Sequence, residues 1–104
     1  MNRILLACSS GMSTSLLVTK MQAFAKSIDE DAEIWAVGQE QAKKEMENAD
    51  VVLIGPQMSF LKGELAAEAQ QYGIKVEVID MMAYGMADGE KAYKQAISLI
   101  GATS

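Results

Sequence analysis

The chain has 104 residues, half of them apolar and 22% charged, with a net charge of −5, one cysteine and no histidine. That length carries one hydrophobic core, so residues 1–104 are expected to form a single domain of ordinary globular composition. An acidic chain without a basic stripe argues against nucleic-acid binding and against anionic membrane surfaces, and the missing histidine removes a Cys–His catalytic pair, a phosphohistidine and most zinc sites.

Four short apolar runs alternate with helical patterns. Residues 3–7 (Arg3-Ile4-Leu5-Leu6-Ala7) read as a first strand that stops at Cys8. Ser9-Ser10-Gly11-Met12-Ser13-Thr14-Ser15 follows, and then a helix with Leu17, Met21, Phe24 and Ile28 in line, capped at Ser13 or Thr14. Residues 33–37 form a second strand, and residues 39–47 a polar helix with Ala42 and Met46 facing inward. Residues 51–54 are apolar on both faces. A helix over 58–72 carries Leu61, Leu65 and Ala69 in line and stops at Gly73. Residues 75–79 give the fourth strand, and a last helix over 90–100 turns Tyr93, Ala96, Ile97 and Ile100 inward.

This alternation predicts an α/β fold: three layers, with a four-stranded parallel sheet flanked by helices and right-handed crossovers. Strands 1 and 3 read as central, and strands 2 and 4, which carry charges, as edges. The expected order is 2-1-3-4. The topological switch then lies between strands 1 and 3, and ligands bind outside the carboxyl ends of the strands there. The loop at Cys8 and the turn Gly55-Pro56-Gln57 meet at that point.

After Met1-Asn2-Arg3 the apolar run is five residues long, too short for a signal-peptide core. No stretch approaches the roughly 20 residues of a membrane span. The protein is expected to be cytoplasmic, with no direct membrane insertion. One cysteine rules out an internal disulfide. No carboxylate cluster has metal-ligand spacing, so neither a metal nor a cofactor is expected. The eight methionines are scattered and read as core filler rather than a binding surface.

The chemistry concentrates at Cys8. A free cysteine at the end of a core strand is often only a small buried hydrophobe. Here the seven residues after it include four serines, one threonine and one glycine, a lining suited to an oxyanion. Unpartnered N–H groups in the first turn of a helix favour an anion or a thiolate, and the same field lowers a thiol pKa.

Three readings stand. Cys8 accepts a phosphoryl group and hands it on, with the N–H groups from Ser9 to Ser13 as a nest, the nearby hydroxyls as further donors, and Gly11 letting the backbone approach. Alternatively, the protein is a cysteine phosphatase of the low-molecular-weight tyrosine phosphatase kind, which has this architecture. Those enzymes place an arginine six positions after the cysteine, and that position is Thr14. Arg3, inside the first strand, is the chain's single arginine. Losing that cation removes on the order of several kcal/mol of transition-state stabilisation, so this loop is expected to hold a phosphocysteine but to hydrolyse it poorly. In the third reading Cys8 is a redox thiol whose partner comes from another molecule.

Three segments in this order resemble a known family. They are Leu6-Ala7-Cys8-Ser9-Ser10-Gly11-Met12-Ser13-Thr14-Ser15-Leu16-Leu17, then Ala49-Asp50-Val51-Val52-Leu53-Ile54-Gly55-Pro56-Gln57, then Val76-Glu77-Val78-Ile79-Asp80 with Tyr84-Gly85 and Asp88-Gly89. The chain resembles the enzyme IIB component of the bacterial sugar phosphotransferase system, in the lactose/cellobiose/chitobiose group, of the cellobiose or chitobiose type. The resemblance implies a protein-phosphocysteine–sugar phosphotransferase. Its cysteine takes a phosphoryl group from a histidine of the partner IIA protein. It passes the group to a sugar, such as a β-linked disaccharide, in the membrane-embedded IIC permease during uptake. By position, Cys8 is then the phosphocysteine. Ser9, Ser10, Gly11, Met12, Ser13, Thr14 and Ser15 form the phosphate loop, and Gly55, Pro56 and Gln57 a second wall. Asp80 is read as structural, with a hydrogen bond from the last helix, and Tyr84 as a half-buried tyrosine.

Overall fold

A computed structural model describes residues 2–7 and 11–102 of the chain. Four strands, β1 (Asn2–Ala7), β2 (Ala32–Val37), β3 (Val51–Ile54) and β4 (Lys75–Val78), form one parallel sheet in the order β2-β1-β3-β4. The register runs Ile4↔Ile34 and Ile4↔Val51, and Val52↔Val76 on the far side. This is the expected order, with the two apolar strands in the centre.

Period-2 geometry splits each central strand between two cores. Ile4, Leu6, Val51 and Leu53 face one way, onto α1 (Gly11–Ser27) and α5 (Gly89–Ala102), where they meet Leu17, Met21, Tyr93 and Ala96. Leu5, Ala7, Val52 and Ile54 face the other way, onto α2 (Gln39–Glu45) and α3 (Lys62–Gln70), where they meet Ala42, Leu65 and Ala69. All eight strand residues are fully buried. Each Val, Leu or Ile side chain so buried contributes roughly 1.5–3 kcal/mol, and both faces of the sheet share that gain.

Helix α1 starts three to four residues earlier than the capping pattern predicts. Ser13 and Thr14 lie inside its first turn rather than at its cap. It ends at Ser27, so Ile28 lies beyond the helix and is exposed rather than inward. The expected helix over 58–72 is split. Pro56–Leu61 is 3₁₀, with Met58 at φ −111° and ψ 20°, and α3 proper begins at Lys62. Gly55-Pro56 imposes a tight exit from β3, and the tighter helix absorbs it. The polar helix after β2 likewise tightens to 3₁₀ over Met46–Asn48.

A fifth helix, α4 (Met81–Gly85), falls where no helix was expected. Asp80 caps it, its Oδ2 accepting from the Ala83 N–H at 3.0 Å. Three helices close with the same paired backbone bonds, donated by the residue at positive φ and the one after it. Gly73 (φ 69°) closes α3, as its sequence position predicts. Asp29 (φ 61°) closes α1 and Ala87 (φ 51°) closes α4, both without a glycine.

The methionines divide. Met21, Met46 and Met58 are core, whereas Met81, Met82 and Met86 are exposed on or beside α4. The reading of all eight as core filler is therefore corrected for these three. A five-residue helix lying over the sheet edge cannot turn every side chain inward; Ala83 alone is buried within it.

Candidate functional site

The site is built where β1 and β3 end. Strand β1 stops at Ala7, α1 resumes at Gly11, and Cys8, Ser9 and Ser10 between them lie outside the described residues, as do the side chains of Met12 and Ser13. The flanking frame is fixed. The Gly55 N–H donates to the Ala7 carbonyl at 3.1 Å, which ties the β3 exit to the β1 exit. The Ile79 N–H donates to the Ile54 carbonyl at 2.8 Å, extending the ladder to the β4 exit. Three segments thus leave adjacent strands at one edge of the sheet, on either side of the switch point.

Gly11, Met12 and Ser13 open the first turn of α1, and their N–H groups have no acceptor within the helix. Thr14 is the one buried polar residue among those described, at 0% exposure. Its Oγ1 lies 3.3 Å from the Tyr84 hydroxyl, close enough for a hydrogen bond. At the position where a phosphatase of this architecture carries arginine, this chain therefore places a neutral hydroxyl engaged with Tyr84. Arg3 cannot substitute. Four steps of extended chain, about 13 Å, separate it from Ala7, where β1 ends. Ser15 is exposed, and its carbonyl accepts from Thr19 Oγ1 at 3.1 Å.

The second wall is compact. Pro56 opens the 3₁₀ turn. Gly55 is buried, and a Cβ on it would stand 3.0 Å from Gln57 Oε1. The missing side chain leaves room for the Gln57 amide to fold back over the turn. From there Gln57 Nε2 donates to the Tyr84 hydroxyl at 2.8 Å. Thr14, Gln57 and Tyr84 thus converge from α1, the β3 exit and α4.

Two further residues hold α4 in place. The last helix does reach Asp80, but by a different bond from the one expected. Gln95 Oε1 accepts from the Asp80 backbone N–H, and Gln95 Nε2 donates to the Val78 carbonyl, both at 2.9 Å. The Asp80 carboxylate caps α4 and lies 3.9 Å from Lys91 Nζ. Sequence reasoning missed Gln95 and left Tyr84 as an ordinary half-buried tyrosine. The available signal was Asp80 three residues before Ala83, an N-cap spacing that announces a helix carrying Tyr84.

Among the described residues, no group of three or more His, Cys, Asp or Glu could hold a metal ion. None of the described helices is long and apolar enough to cross a membrane. What the described frame forms is an α/β domain with a helix N-terminus and a glycine–proline turn facing each other across the carboxyl edge of a parallel sheet.

Comparison with known proteins narrows this class to one family. The family described as "PTS system, Lactose/Cellobiose specific IIB subunit" matches residues 3–95. The chain is 75% identical over 100 residues to the oligo-β-mannoside-specific EIIB component of Bacillus subtilis (strain 168), covering 96% of this chain and 97% of that one. It is 43% identical over 102 residues to the cellobiose-specific EIIB component of Lactococcus lactis subsp. lactis, covering 93% and 94%. In structure it resembles the cellobiose-specific IIB protein of Borrelia burgdorferi, with a TM-score of 0.82 at 37% identity over 99% of this chain and 94% of that one. The lactose-specific IIB domain of Streptococcus pneumoniae shares the fold, with a TM-score of 0.84 at 16% identity over 94% and 96% of the two chains. The chain belongs to the lactose/cellobiose-specific IIB family of the sugar phosphotransferase system, and is a phosphoryl-transfer component of sugar uptake.

Proposed function

We propose that Cys8 is the phosphoryl carrier. The observation that supports this is placement: Cys8 directly follows the last residue of a central strand, with two residues between it and the first turn of α1, at the switch point of the sheet. In the donor step the Cys8 thiolate attacks the phosphorus of a IIA phosphohistidine. The S–P bond forms, the P–N bond breaks, and the imidazole leaves neutral, taking at its free ring nitrogen the proton that the thiol gave up. In the acceptor step a sugar hydroxyl oxygen attacks the same phosphorus. The O–P bond forms, the thiolate is released, and the hydroxyl proton goes to a base on the permease side. N–H groups from Ser9 to Ser13 stabilise the equatorial oxygens, where a fixed array of donors is most effective. Gly55, Pro56 and Gln57 close the opposite wall.

IIA is the donor partner, and a sugar held by the IIC permease is the acceptor. The protein acts from the cytoplasm as one IIB domain over residues 1–104. The acceptor class is a β-linked oligosaccharide, supported by relatives named for oligo-β-mannoside and cellobiose. The phosphatase alternative loses ground at Thr14, whose side chain is neutral, buried and engaged with Tyr84.

The test is intact mass after incubation with phosphoenolpyruvate, enzyme I, the histidine phosphocarrier protein and a candidate IIA. One added phosphoryl group on wild type and none on Cys8→Ser is the expected result. A Cys8→Ser protein that still relays phosphate overturns the assignment. Turnover of p-nitrophenyl phosphate by wild type would favour the phosphatase instead.

A further inference from the structure

We propose that Tyr84 is a positioning residue for phosphoryl transfer, acting through Thr14 and Gln57; this rests on the reading of Cys8 as the carrier. Its hydroxyl stands between the two sides of the opening. It lies 3.3 Å from Thr14 Oγ1, in the first turn of α1, and accepts from Gln57 Nε2 at 2.8 Å, on the opposite wall. One oxygen therefore fixes the spacing between the helix terminus that offers N–H groups and the turn that faces it.

Three separate features aim that oxygen. The Tyr84 ring packs against the core beneath α1 and α5, so the side chain cannot swing freely. The helix that carries it is anchored at its start by the Asp80 cap and by the two hydrogen bonds between Gln95 and the backbone of Val78 and Asp80. Gly55 leaves the space into which the Gln57 amide folds to meet it. A tyrosine needed only for packing would not require the hydroxyl contacts to Thr14 and Gln57. The Thr14 hydroxyl is wholly buried, and such a group strongly retains its partners. This gives the hydroxyl of Tyr84 a hold on the α1 terminus that phenylalanine cannot supply.

The experiment compares wild type, Tyr84→Phe, Gln57→Leu and the double variant in single-turnover transfer from phosphorylated IIA, with IIA concentration varied. Removing one such bond is expected to slow transfer at saturating IIA by roughly tenfold, with half-saturation within about twofold of wild type. The double variant is expected to be no slower than Tyr84→Phe, because both changes break one network. Melting temperature reports the fold in parallel. If Tyr84→Phe does not fold, Gln57→Leu, at an exposed position, carries the test with the same expected slowing. Wild-type rates in the folded variants, or a loss seen only in half-saturation, overturn the positioning role while wild type still takes phosphate on Cys8. A wild type that takes no phosphoryl group overturns the carrier reading, and this role with it.

Discussion

Gly89, the first residue of α5, sits against the backbone of Lys20 in α1 so closely that a Cβ would stand 2.3 Å from the Lys20 carbonyl carbon. No rotamer relieves such a contact, because the obstacle is backbone on both sides. The approach of α5 to α1 is what seals the core formed by Leu17, Met21, Tyr93 and Ala96 over the sheet.

Gly89→Ala is therefore expected to force the two helices apart and to destabilise by about 1–3 kcal/mol, an overpacking cost. Urea unfolding followed by circular dichroism measures it. For a domain of this size the melting temperature falls on the order of 10 °C. An unchanged midpoint would mean that α5 can slide without loss.

Ala87 closes α4 at φ 51°, where a side chain is costly. Ala87→Gly is expected to stabilise by roughly 0.5 kcal/mol, since the relief of the left-handed conformation outweighs the entropy glycine loses on folding. Asp29→Gly, at φ 61° behind α1, should give less, because aspartate tolerates this region better than alanine. Paired denaturant titrations check both the sign and the order.

The Tyr93 hydroxyl is held above the ordinary tyrosine pKa, first by burial and then by its hydrogen bond to the Glu30 carboxylate at 2.6 Å. The folded state thus keeps the proton longer than the unfolded state does. This contribution is complete below the unfolded value near 10 and is lost as pH rises through the folded value. Stability of wild type should fall above about pH 10. Tyr93→Phe should be less stable at neutral pH, by about 1 kcal/mol for the lost bond, and should lack that part of the alkaline fall. Melting temperatures from pH 8 to 11, at roughly half-unit steps across the tyrosine range, resolve the two curves; parallel curves would refute the assignment.

Glu77 is held below the ordinary glutamate pKa, first by its hydrogen bond to Lys62 and then by the Val78 N–H. Its contribution is present above the unfolded value and is lost as pH falls through the folded one. Wild type should therefore lose stability on the acid side of the ordinary glutamate range, and Glu77→Gln should lose less over that interval. The pair is half-exposed, so salt should weaken the difference.

Met81, Met82 and Met86 are 75%, 62% and 71% exposed, whereas Met21 and Met46 are wholly buried. Dilute peroxide should convert the first three to sulfoxides while the other two stay reduced until the protein unfolds. Peptide mass mapping reads this directly. Early oxidation of Met46 would contradict its burial in the core with Leu5, Ala42 and Val52.

Strands were the easiest part of this chain to read. Residues 51–54 are apolar at every position, which in a parallel sheet means burial on both faces, and the order followed from which runs carried charge. Helix boundaries were harder. Ser13 and Thr14 have the side chains of a cap, yet they lie within α1, and Thr14 turns its hydroxyl to a residue 70 positions away. A partner so distant leaves no local pattern. The same holds for Gln57 with Tyr84 and for Gln95 with the β4 exit, each an ordinary polar residue until the fold brings its partner near. The strand and the helix on either side of Cys8 could be anticipated from the sequence. The hydroxyl network of Thr14, Tyr84 and Gln57 could not.

The bond from Gly55 to Ala7 joins the two loop-bearing strands into a single doorway. On the proposed reading, the protein that delivers the phosphoryl group and the permease that consumes it must use that doorway by turns, since neither can reach the thiol past the other. Each cycle then requires one visitor to depart before the next arrives. Tight binding to either would stall the traffic, so throughput depends on how quickly each complex comes apart.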